Sequence, residues 1–352
     1  MIAAAEPEVA VDGVALLTDM LEIPSLSTQE ATLGQWLVRR LRTLGFTARR
    51  DEVGNVIALW GSGPKEIVLL GHMDTVPGWI PVRREGDLLH GRGAVDAKGP
   101  LAAAVMAIAA QATAGTYRFT LIAAVEEEGS SRGARHLVGR RPPEHLVILE
   151  PSGWDAITVG YKGSLRVRYR LSQPMGHGAG PTASAADQAI AFIRRIQDHA
   201  TASSDGKGAF ERLDTRVIRF HGDHDGMRDS AAMTLGFRIP PGWDVEALKT
   251  QLQEWGATAE LRFESGEAAV RSEKNSTLAR RFIQAIRTEG GTPRFKLKTG
   301  TSDMNILAPV WGCPAVAYGP GDSRLDHTPE EAIDLAEFQR GIEVLSEVLR
   351  TL

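Results

Sequence analysis

The chain has 352 residues, of which 43% are hydrophobic and 24% charged, and its formal net charge at pH 7 is −4. This length exceeds that of most single hydrophobic cores and predicts two domains. A net negative charge excludes an overall basic field for holding nucleic acid or anionic lipid. The single cysteine, Cys313, excludes an intramolecular disulfide and favours a reducing compartment, so we expect a cytoplasmic protein.

The N-terminal sequence, MIAAAEPEVAVDGVALL, does not have the pattern of a secretory signal peptide. It lacks a basic segment, and Glu6, Glu8 and Asp12 interrupt its apolar residues. Elsewhere no apolar run reaches the roughly 18 residues that a membrane-spanning helix needs. We therefore expect neither a signal peptide nor a transmembrane segment.

The sequence STQE has the pattern of a helix capping box, with Ser27 as the N-cap and Glu30 at the third helical position. Leucine then recurs at the spacing of one helical face, at Leu33, Leu37, Leu41 and Leu44. This spacing predicts an amphipathic helix that ends at Gly45.

Short apolar runs bounded by turn residues predict buried strands in the first half of the chain. These runs cover residues 55–60, 66–70, 119–125 and 145–149. An Ala-rich helix is predicted at 100–113, with Pro100 in its first turn, where the missing N–H costs little. Strands that alternate with helices predict an α/β fold with a mostly parallel sheet flanked by helices.

The pattern changes near Gly160. Residues 165–171 alternate between apolar side chains and arginines, which is typical of a strand with one wet face in an antiparallel sheet. Helices at 183–199 and 245–255 and a strand at 232–239 complete an α+β module.

After about residue 275 the helix–strand alternation resumes, with a helix at 278–287 and a strand at 315–318. We therefore predict a catalytic domain formed by residues 1–159 and 271–352. The α+β module, residues 160–270, is predicted as a domain inserted into it.

Acidic and histidine residues follow the ends of several predicted strands or lie in glycine-rich loops. They are His72, Asp96, Glu126, Glu127, Glu150 and His327. Ligands of open α/β sheets bind beyond the carboxyl ends of the strands, so these side chains are expected to converge. Imidazole and carboxylate groups bind zinc or cobalt, and a two-metal site also needs a carboxylate that moves the proton of the attacking water.

Five ordered motifs resemble the M20 family of dinuclear metallopeptidases, which includes acetylornithine deacetylase and succinyl-diaminopimelate desuccinylase. The motifs are GHMDTVPG, GRGAVDAKGPLAA, VEEEGSSRGA, ILEPSGWD and DHTPEE. Together they are far more specific than any one alone. The resemblance implies a zinc-exopeptidase-like catalytic domain with an inserted lid or dimerisation domain.

The resemblance also implies two divalent ions per subunit, Zn²⁺ or Co²⁺. One ion takes His72 and Glu150, the other takes Glu127 and His327, and Asp96 bridges the two. We interpret Glu128 as a solvated neighbour of this site.

Two further roles follow from the same motifs. Asp74 would support the imidazole of His72 from behind. Glu126, the first of the family's Glu-Glu pair, would be the general base. Because three glutamates follow Val125, a shifted alignment remains open in which Glu127 is the base and Glu128 the ligand. The family pattern Glu-Glu-any-Gly favours the first alignment.

The resemblance places three functions in the inserted domain and one loop. His177 would reach into the site of the partner subunit of a homodimer and stabilise the oxyanion. Arg238 would hold a substrate carboxylate. The loop GTSDMN, with Thr301 and Ser302, would contact the substrate.

The stretches GRGAVDAKGPLAA and EPSGWDAITVGYKG resemble the family members that release lysine or ornithine from an amino-group carrier protein of the LysW type. Such a carrier is a small acidic protein, and Arg166, Arg168 and Arg170 are candidates to meet it; by themselves they equally suit a solvated strand face. The alternatives are a small-molecule N-acyl amino acid deacylase, an M20 carboxypeptidase, or a non-catalytic binding protein.

Overall fold

The structure is a computed structural model that describes residues 12–352. Residues 1–11, on which most of the signal-peptide prediction rests, lie outside the described part. The chain divides into two compact units. The first contains the residues up to Val159, Ser272–Lys296 and Leu307–Leu352, and the second contains Gly160–Arg271 and Leu297–Ile306.

The secondary-structure elements follow in chain order. The elements up to residue 161 are α1 (Gly13–Leu21), α2 (Ala31–Thr43), β1 (Thr47–Arg50), β2 (Val56–Trp60), β3 (Lys65–His72), β4 (Arg83–Glu85), β5 (Leu88–His90), α3 (Lys98–Ala109), β6 (Tyr117–Ala124), α4 (Arg132–Leu137), β7 (His145–Ile148) and β8 (Ala156–Tyr161). The elements of the next stretch are β9 (Gly163–Pro174), α5 (Ala185–Ser204), β10 (Asp214–His224), β11 (Arg228–Ile239), α6 (Val245–Gly256), β12 (Glu260–Glu267) and β13 (Val270–Arg271). The last elements are α7 (Thr277–Thr288), β14 (Arg294–Lys298), α8 (Met304–Trp311), β15 (Ala315–Ala317), β16 (Ala332–Asp334) and α9 (Leu335–Thr351).

The main sheet of the first unit has the strand order β1-β2-β6-β3-β7-β15-β8. Its four central strands, β6, β3, β7 and β15, run parallel, and the flanking pairs are antiparallel. β3 lies at the centre and all of it except Lys65 is buried, which explains its continuous apolar sequence. The predicted α/β fold, with a largely parallel sheet and flanking helices, is confirmed.

Helix α3 explains the Ala-rich stretch of the sequence. It packs against β3 and β6 on the sheet and against α1 and α9, and almost all of its residues are buried. A helix that is apolar all round is stable only when it is covered all round. Pro100 lies in its first turn, as predicted, although the helix ends at Ala109 rather than at residue 113.

The predicted capping box is wrong. Helix α2 begins at Ala31, and its N-cap is Glu30, which makes no side-chain capping bond. The hydroxyl of Ser27 instead donates to the carboxylate of Asp74 at 2.7 Å. The predicted apolar face is confirmed for Leu33, Leu37 and Leu41, which are buried. Leu44 is the C-cap and only partly buried, and Gly45 follows it with a φ of +94°.

The second unit contains an antiparallel sheet with the strand order β10-β11-β9-β12. Helices α5 and α6 cover one face of this sheet, and their apolar residues form one core with alternate residues of the strands. Tyr169 on β9 packs against Phe192 on α5, with 5.2 Å between ring centroids. The predicted α+β module with an antiparallel sheet is confirmed, while its exact boundaries as a lid or dimerisation domain stay a prediction.

No helix within residues 12–352 is both long enough and apolar enough to cross a membrane.

The core of the second unit gives a test of its packing. We expect Phe192→Ala to lower the free energy of unfolding by about 3–5 kcal/mol, because it leaves a cavity in a close-packed core. Urea unfolding followed by circular dichroism measures this loss. The matched control is Ile190→Ala on the same helix, whose side chain is 40% exposed; its effect should be about 0.5 kcal/mol or less. Equal losses would contradict the described packing of α5.

Candidate metal centre

Three neighbouring parallel strands end at one edge of the main sheet and bring the predicted site residues together. His72, the last residue of β3, pairs with Ala124, the last residue of β6. Leu70 of β3 pairs with Ile148, the last residue of β7. The loops that follow β6 and β7 carry the three consecutive glutamates and Glu150, so these carboxylates emerge beside His72.

Asp96 lies between the two histidines of the site. Its Oδ1 atom is 3.1 Å from Nε2 of His72, and its Oδ2 atom is 3.0 Å from Nε2 of His327. A carboxylate whose two oxygens face two different imidazoles has the arrangement of a bridging ligand.

Three further carboxylates complete the cluster. Oε1 of Glu128 is 2.8 Å from Nε2 of His327, and Oε1 of Glu150 is 3.8 Å from Nε2 of His72. Ligand atoms of His72, Asp96 and Glu128 lie within 4.8 Å of one another, and so do those of His72, Glu127 and Glu150. The structure therefore brings all five predicted metal ligands together, and Glu128, the ligand of the shifted alignment, joins them. The interpretation of Glu128 as a solvated neighbour is wrong, because its side chain is only 9% exposed and contacts His327.

Asp74 is the buried support of this edge. The carbonyl oxygen of Asp74 is 2.9 Å from Nδ1 of His72, so that nitrogen is the donor and Nε2 faces the cluster. Its carboxylate accepts from the backbone amides of Glu127 and Glu128, both at 3.1 Å, and from the hydroxyl of Ser27. Asp74 thus fixes the histidine ring through its backbone carbonyl and two consecutive glutamates through its carboxylate.

Glu126, the predicted general base, is held in a different way. Its carboxylate accepts from the hydroxyl of Ser130 at 2.5 Å and from Nε of Arg132 at 2.7 Å. Its backbone amide donates to Glu30, and its φ is +61°. Glu126 belongs to neither group of possible metal ligands found among the described residues.

Glu331 holds the loop that carries Asp96. This fully buried carboxylate accepts from the backbone amides of Gly93, Val95 and Asp96 at 2.9–3.1 Å. Its other oxygen pairs with Arg92 at 2.8 Å. Because the amides satisfy the carboxylate and the carboxylate satisfies the amides, the loop has one defined conformation.

The electrostatics of the cluster are dominated by negative charge. Hydrogen bonds to Asp96 and then to Glu128 raise the pKa of His327 to about 10. Burial lowers the pKa of His72, but hydrogen bonds to Asp74 and Asp96 outweigh it and raise that pKa well above its ordinary value. Burial raises the pKa of Asp96, but the hydrogen bonds from both histidines hold it far below its ordinary value. Groups that attract protons this strongly also attract divalent cations.

The predicted substrate residues lie in the second unit. Nη1 of Arg238 donates to the hydroxyl of Thr301 at 3.3 Å, so the structure brings these two together. Ser302 is buried and accepts from the amide of Met304. His177 lies in an exposed loop, where its Nδ1 accepts from the amide of Ala179. Their roles toward a substrate stay predictions.

Comparison with known proteins identifies the family. The sequence model of peptidase family M20/M25/M40 matches residues 68–351. The chain belongs to this family. It is thus an M20 metallohydrolase, and the resemblance drawn from the five motifs is confirmed.

Two relatives are similar along most of their length. The chain is 45% identical to the [LysW]-lysine hydrolase of Deinococcus radiodurans over 352 residues, which covers 96% of each protein. It is 31% identical to the [LysW]-lysine/[LysW]-ornithine hydrolase of Sulfurisphaera tokodaii over 278 residues, which covers 78% of each.

Solved structures show the same fold. An M20 family metallo-carboxypeptidase from Sulfolobus solfataricus matches with a TM-score of 0.78 at 20% identity, over 96% of this chain and 98% of that one. A tripeptidase from Staphylococcus aureus matches with a TM-score of 0.78 at 18% identity, over 96% and 97% of the two chains. At these identities the likeness supports the fold alone.

The donor set fits the two metal ions that M20 membership implies. Two imidazole nitrogens face carboxylate oxygens from four different residues, and one of those carboxylates faces both imidazoles. Nitrogen and carboxylate oxygen are the donors that zinc takes in catalytic sites.

The sequence analysis gave four residues in or around this cluster either no role or a role that it did not favour. Glu128 stood beside the right motif, but three consecutive glutamates allow two alignments. Ser27 and Glu30 were noticed and given a local role. For Glu331 the sequence offered one indication of a role near the site, which is its position four residues after His327 in the motif DHTPEE.

The contacts of Glu331 lead to a prediction. We expect Glu331→Ala to weaken metal binding by about 10–100-fold, because it frees three buried amides and releases the loop of Asp96. Titration of the metal-free protein with Zn²⁺ or Co²⁺ measures the affinity. The control is Glu330→Ala, which removes the exposed neighbouring glutamate and should bind metal normally.

A second variant guards against misfolding. Glu331→Gln keeps the size of the side chain but replaces one acceptor oxygen by a donor, so it should weaken binding less than alanine. Normal affinity in a correctly folded Glu331→Ala protein would show that the loop needs no such support.

Proposed function

We propose that the chain hydrolyses the amide bond joining lysine or ornithine to an amino-group carrier protein of the LysW type. The observation that carries this proposal is the 45% identity to a [LysW]-lysine hydrolase along 96% of both chains. The bond in question links the γ-carboxyl group of the carrier's C-terminal glutamate to the α-amino group of the released amino acid. The cluster of imidazoles and carboxylates suits hydrolysis of such an unactivated amide.

We propose the following ligand assignment for two Zn²⁺ or Co²⁺ ions. His72 and Glu150 would hold one ion, Glu128 and His327 the other, and Asp96 would bridge them. Support comes from the distances of Asp96 to both imidazoles and from the 2.8 Å contact between Glu128 and His327. When bound, the ions supply Lewis acidity to the amide carbonyl and lower the pKa of the attacking water.

The shifted alignment makes Glu127 the general base in place of Glu126. Glu127 would take the proton of the attacking water and deliver it to the nitrogen of the leaving amine, while the carbonyl carbon gains the water oxygen. Support comes from the position of Glu127 beside His72 and Glu150. The carboxylate of Glu126 is instead bonded to Ser130 and Arg132.

The second unit would supply recognition and the contact between subunits. Arg238 and Thr301, which are hydrogen-bonded to each other, would hold the carboxylate of the substrate, with Ser302 in the same loop. His177 of the partner subunit would stabilise the oxyanion. A homodimer is supported by β10, an edge strand of 11 residues with exposed Val217, Ile218 and Phe220.

A pair of matched variants tests the base. We expect Glu127→Gln to reduce turnover by about 10²–10⁴-fold, because glutamine cannot accept the proton, while two metal ions per chain are retained. Glu126→Gln should keep most of the activity, since an amide can still bond to Ser130. Turnover rates and elemental analysis measure both properties. The reverse result, with metal lost in Glu127→Gln and turnover lost in Glu126→Gln, would restore the first alignment.

Metal removal and a substrate series test the reaction itself. We expect dialysis against a chelator to abolish hydrolysis and added Zn²⁺ or Co²⁺ to restore it. The reason is that the bound ions would supply the Lewis acidity and lower the pKa of the attacking water. The wild-type protein should release lysine or ornithine from the carrier conjugate, detected by amino-acid analysis. Hydrolysis of N-acetylornithine with none of the carrier conjugates would favour the small-molecule deacylase instead.

A further inference from the structure

The antiparallel sheet of the second unit has one covered face and one open face. The covered face lies under α5 and α6. Residues that pair directly across antiparallel strands point to the same side, so the register defines which side chains belong to the open face. On β9 these are Arg166, Arg168 and Arg170, which alternate with the buried Leu165, Val167, Tyr169 and Leu171.

The register extends this open face across all four strands. On β11, Gly236 and Thr234 pair with Arg166 and Arg168. On β10, Arg216 and Arg219 pair with the same two residues of β11, with a bulge between them. On β12, Arg262 pairs with Arg168. The open face, together with Arg238 near its end, thus presents seven arginines, and each of them is exposed.

The arginines of this face differ in their partners. Arg168 pairs with Glu264 at 2.6 Å, and Arg262 pairs with Glu260 at 2.7 Å. The other five make no ion pair with any described residue, and one of them, Arg238, is hydrogen-bonded to Thr301. The remaining four, which we call the open arginines, are Arg166, Arg170, Arg216 and Arg219.

The open arginines are a local exception in a chain whose net charge is −4. The face also carries Glu260 and Glu264, opposite Arg170 and Arg166 in the register, but they are closest to Arg262 and Arg168. Arginines still outnumber these glutamates, and like charges on one face repel one another, so carboxylates or phosphates of a partner would stabilise the face further. Along β9 the distance from Arg166 to Arg170 is about 13 Å, and β9 and β10 are about 10 Å apart across the sheet. This spread exceeds one carboxylate and matches several acidic groups on a protein surface.

We propose that this open face docks an acidic surface of the carrier protein. This inference rests on the proposed function. It adds the surface where the body of the carrier binds, as distinct from the carrier's C-terminal tail, which enters the reaction. Guanidinium groups suit this task because each can form two parallel hydrogen bonds with a carboxylate. The open face also contains Arg238, the residue proposed to hold the substrate, so docking and substrate recognition lie on one continuous surface of the second unit.

The docking surface differs from the one that the sequence suggested. Arg168 was a candidate, but Glu264 already neutralises it. Arg216 and Arg219 were not candidates, because only the pairing of β10 with β11 reveals that they lie beside the arginines of β9.

The test uses the double variant Arg170→Ala/Arg219→Ala in the full-length, metal-loaded protein. These two positions lie farthest along the sheet from Arg238, at least about 13 Å away by strand geometry. We expect KM for the carrier conjugate to rise about tenfold with kcat unchanged, which corresponds to about 1.4 kcal/mol. We also expect the KM of the double variant to depend less on ionic strength than the KM of the wild type. Salt screens the attraction between exposed charges, and the variant has lost two of them.

Two controls make the result specific. The double variant Arg194→Ala/Arg287→Ala removes the same charge from two exposed helix positions outside the open face, and its KM should match that of the wild type. A small amide, γ-glutamyl-lysine without the carrier body, should be hydrolysed equally by all three proteins.

The outcomes of this test distinguish a failure of the docking proposal from a failure of the proposed function. If the wild type cleaves the carrier conjugate and Arg170→Ala/Arg219→Ala has an unchanged KM, the docking surface is wrong and the proposed function stands. An equal rise for the control variant, or for the small amide, also overturns it. If size-exclusion chromatography shows that the variant changes oligomeric state, the face joins copies of this chain instead. If the wild type cleaves only small amides, the proposed function fails and the docking proposal with it.

Discussion

The active edge of this protein depends on one buried carboxylate. Asp74 has no exposed surface, yet it accepts hydrogen bonds from a hydroxyl and from two consecutive backbone amides while its own carbonyl holds a histidine ring. A buried charge is costly unless several donors compensate it. Here the two amide donors belong to Glu127 and Glu128. The hydrogen bonds that offset the cost of burying the charge therefore also hold these two glutamates in position.

The same principle recurs at two other acids under the site. Glu331 is satisfied by three amides and Arg92, and Glu30 accepts from the amides of Thr28 and Glu126. Burial raises the pKa of Glu30, and the negative charge of Asp74 adds to it. Hydrogen bonds from backbone amides to these buried acids thus hold the loops in place. The carboxylates beside His72 and His327 instead maintain a negative potential that protons or metal ions neutralise. Rigidity and cation affinity are therefore assigned to different acids.

Much of the fold could be predicted from the sequence, because buried parallel strands have continuous apolar sequences and alternating strands have one wet face. His72 could be placed in the site because it directly follows such a strand. The choice among three consecutive glutamates could not be made this way, because beyond the strand end no alternation constrains which side chain points where. Asp74 constrains it instead, from about 53 residues away along the chain. Ser27 misled the analysis for the same reason, since its partner is 47 residues distant and a local capping pattern looked sufficient.

The hydrogen bonds of Glu331 also determine when, during synthesis of the chain, the site can be completed. Asp96 is synthesised 235 residues before the carboxylate that holds its loop, and His327 comes only a few residues earlier than that carboxylate. A nascent chain that has passed Glu150 but not His327 therefore carries His72, Asp96 and the glutamates of the cluster, but neither the second imidazole nor the carboxylate that holds the loop of Asp96. The strands β1, β2, β6, β3, β7, β15 and β8 are all synthesised before residue 327. The sheet can therefore form before the cluster at its edge is complete, and a chain truncated ahead of His327 would lack both the second imidazole and the carboxylate that holds the loop of Asp96.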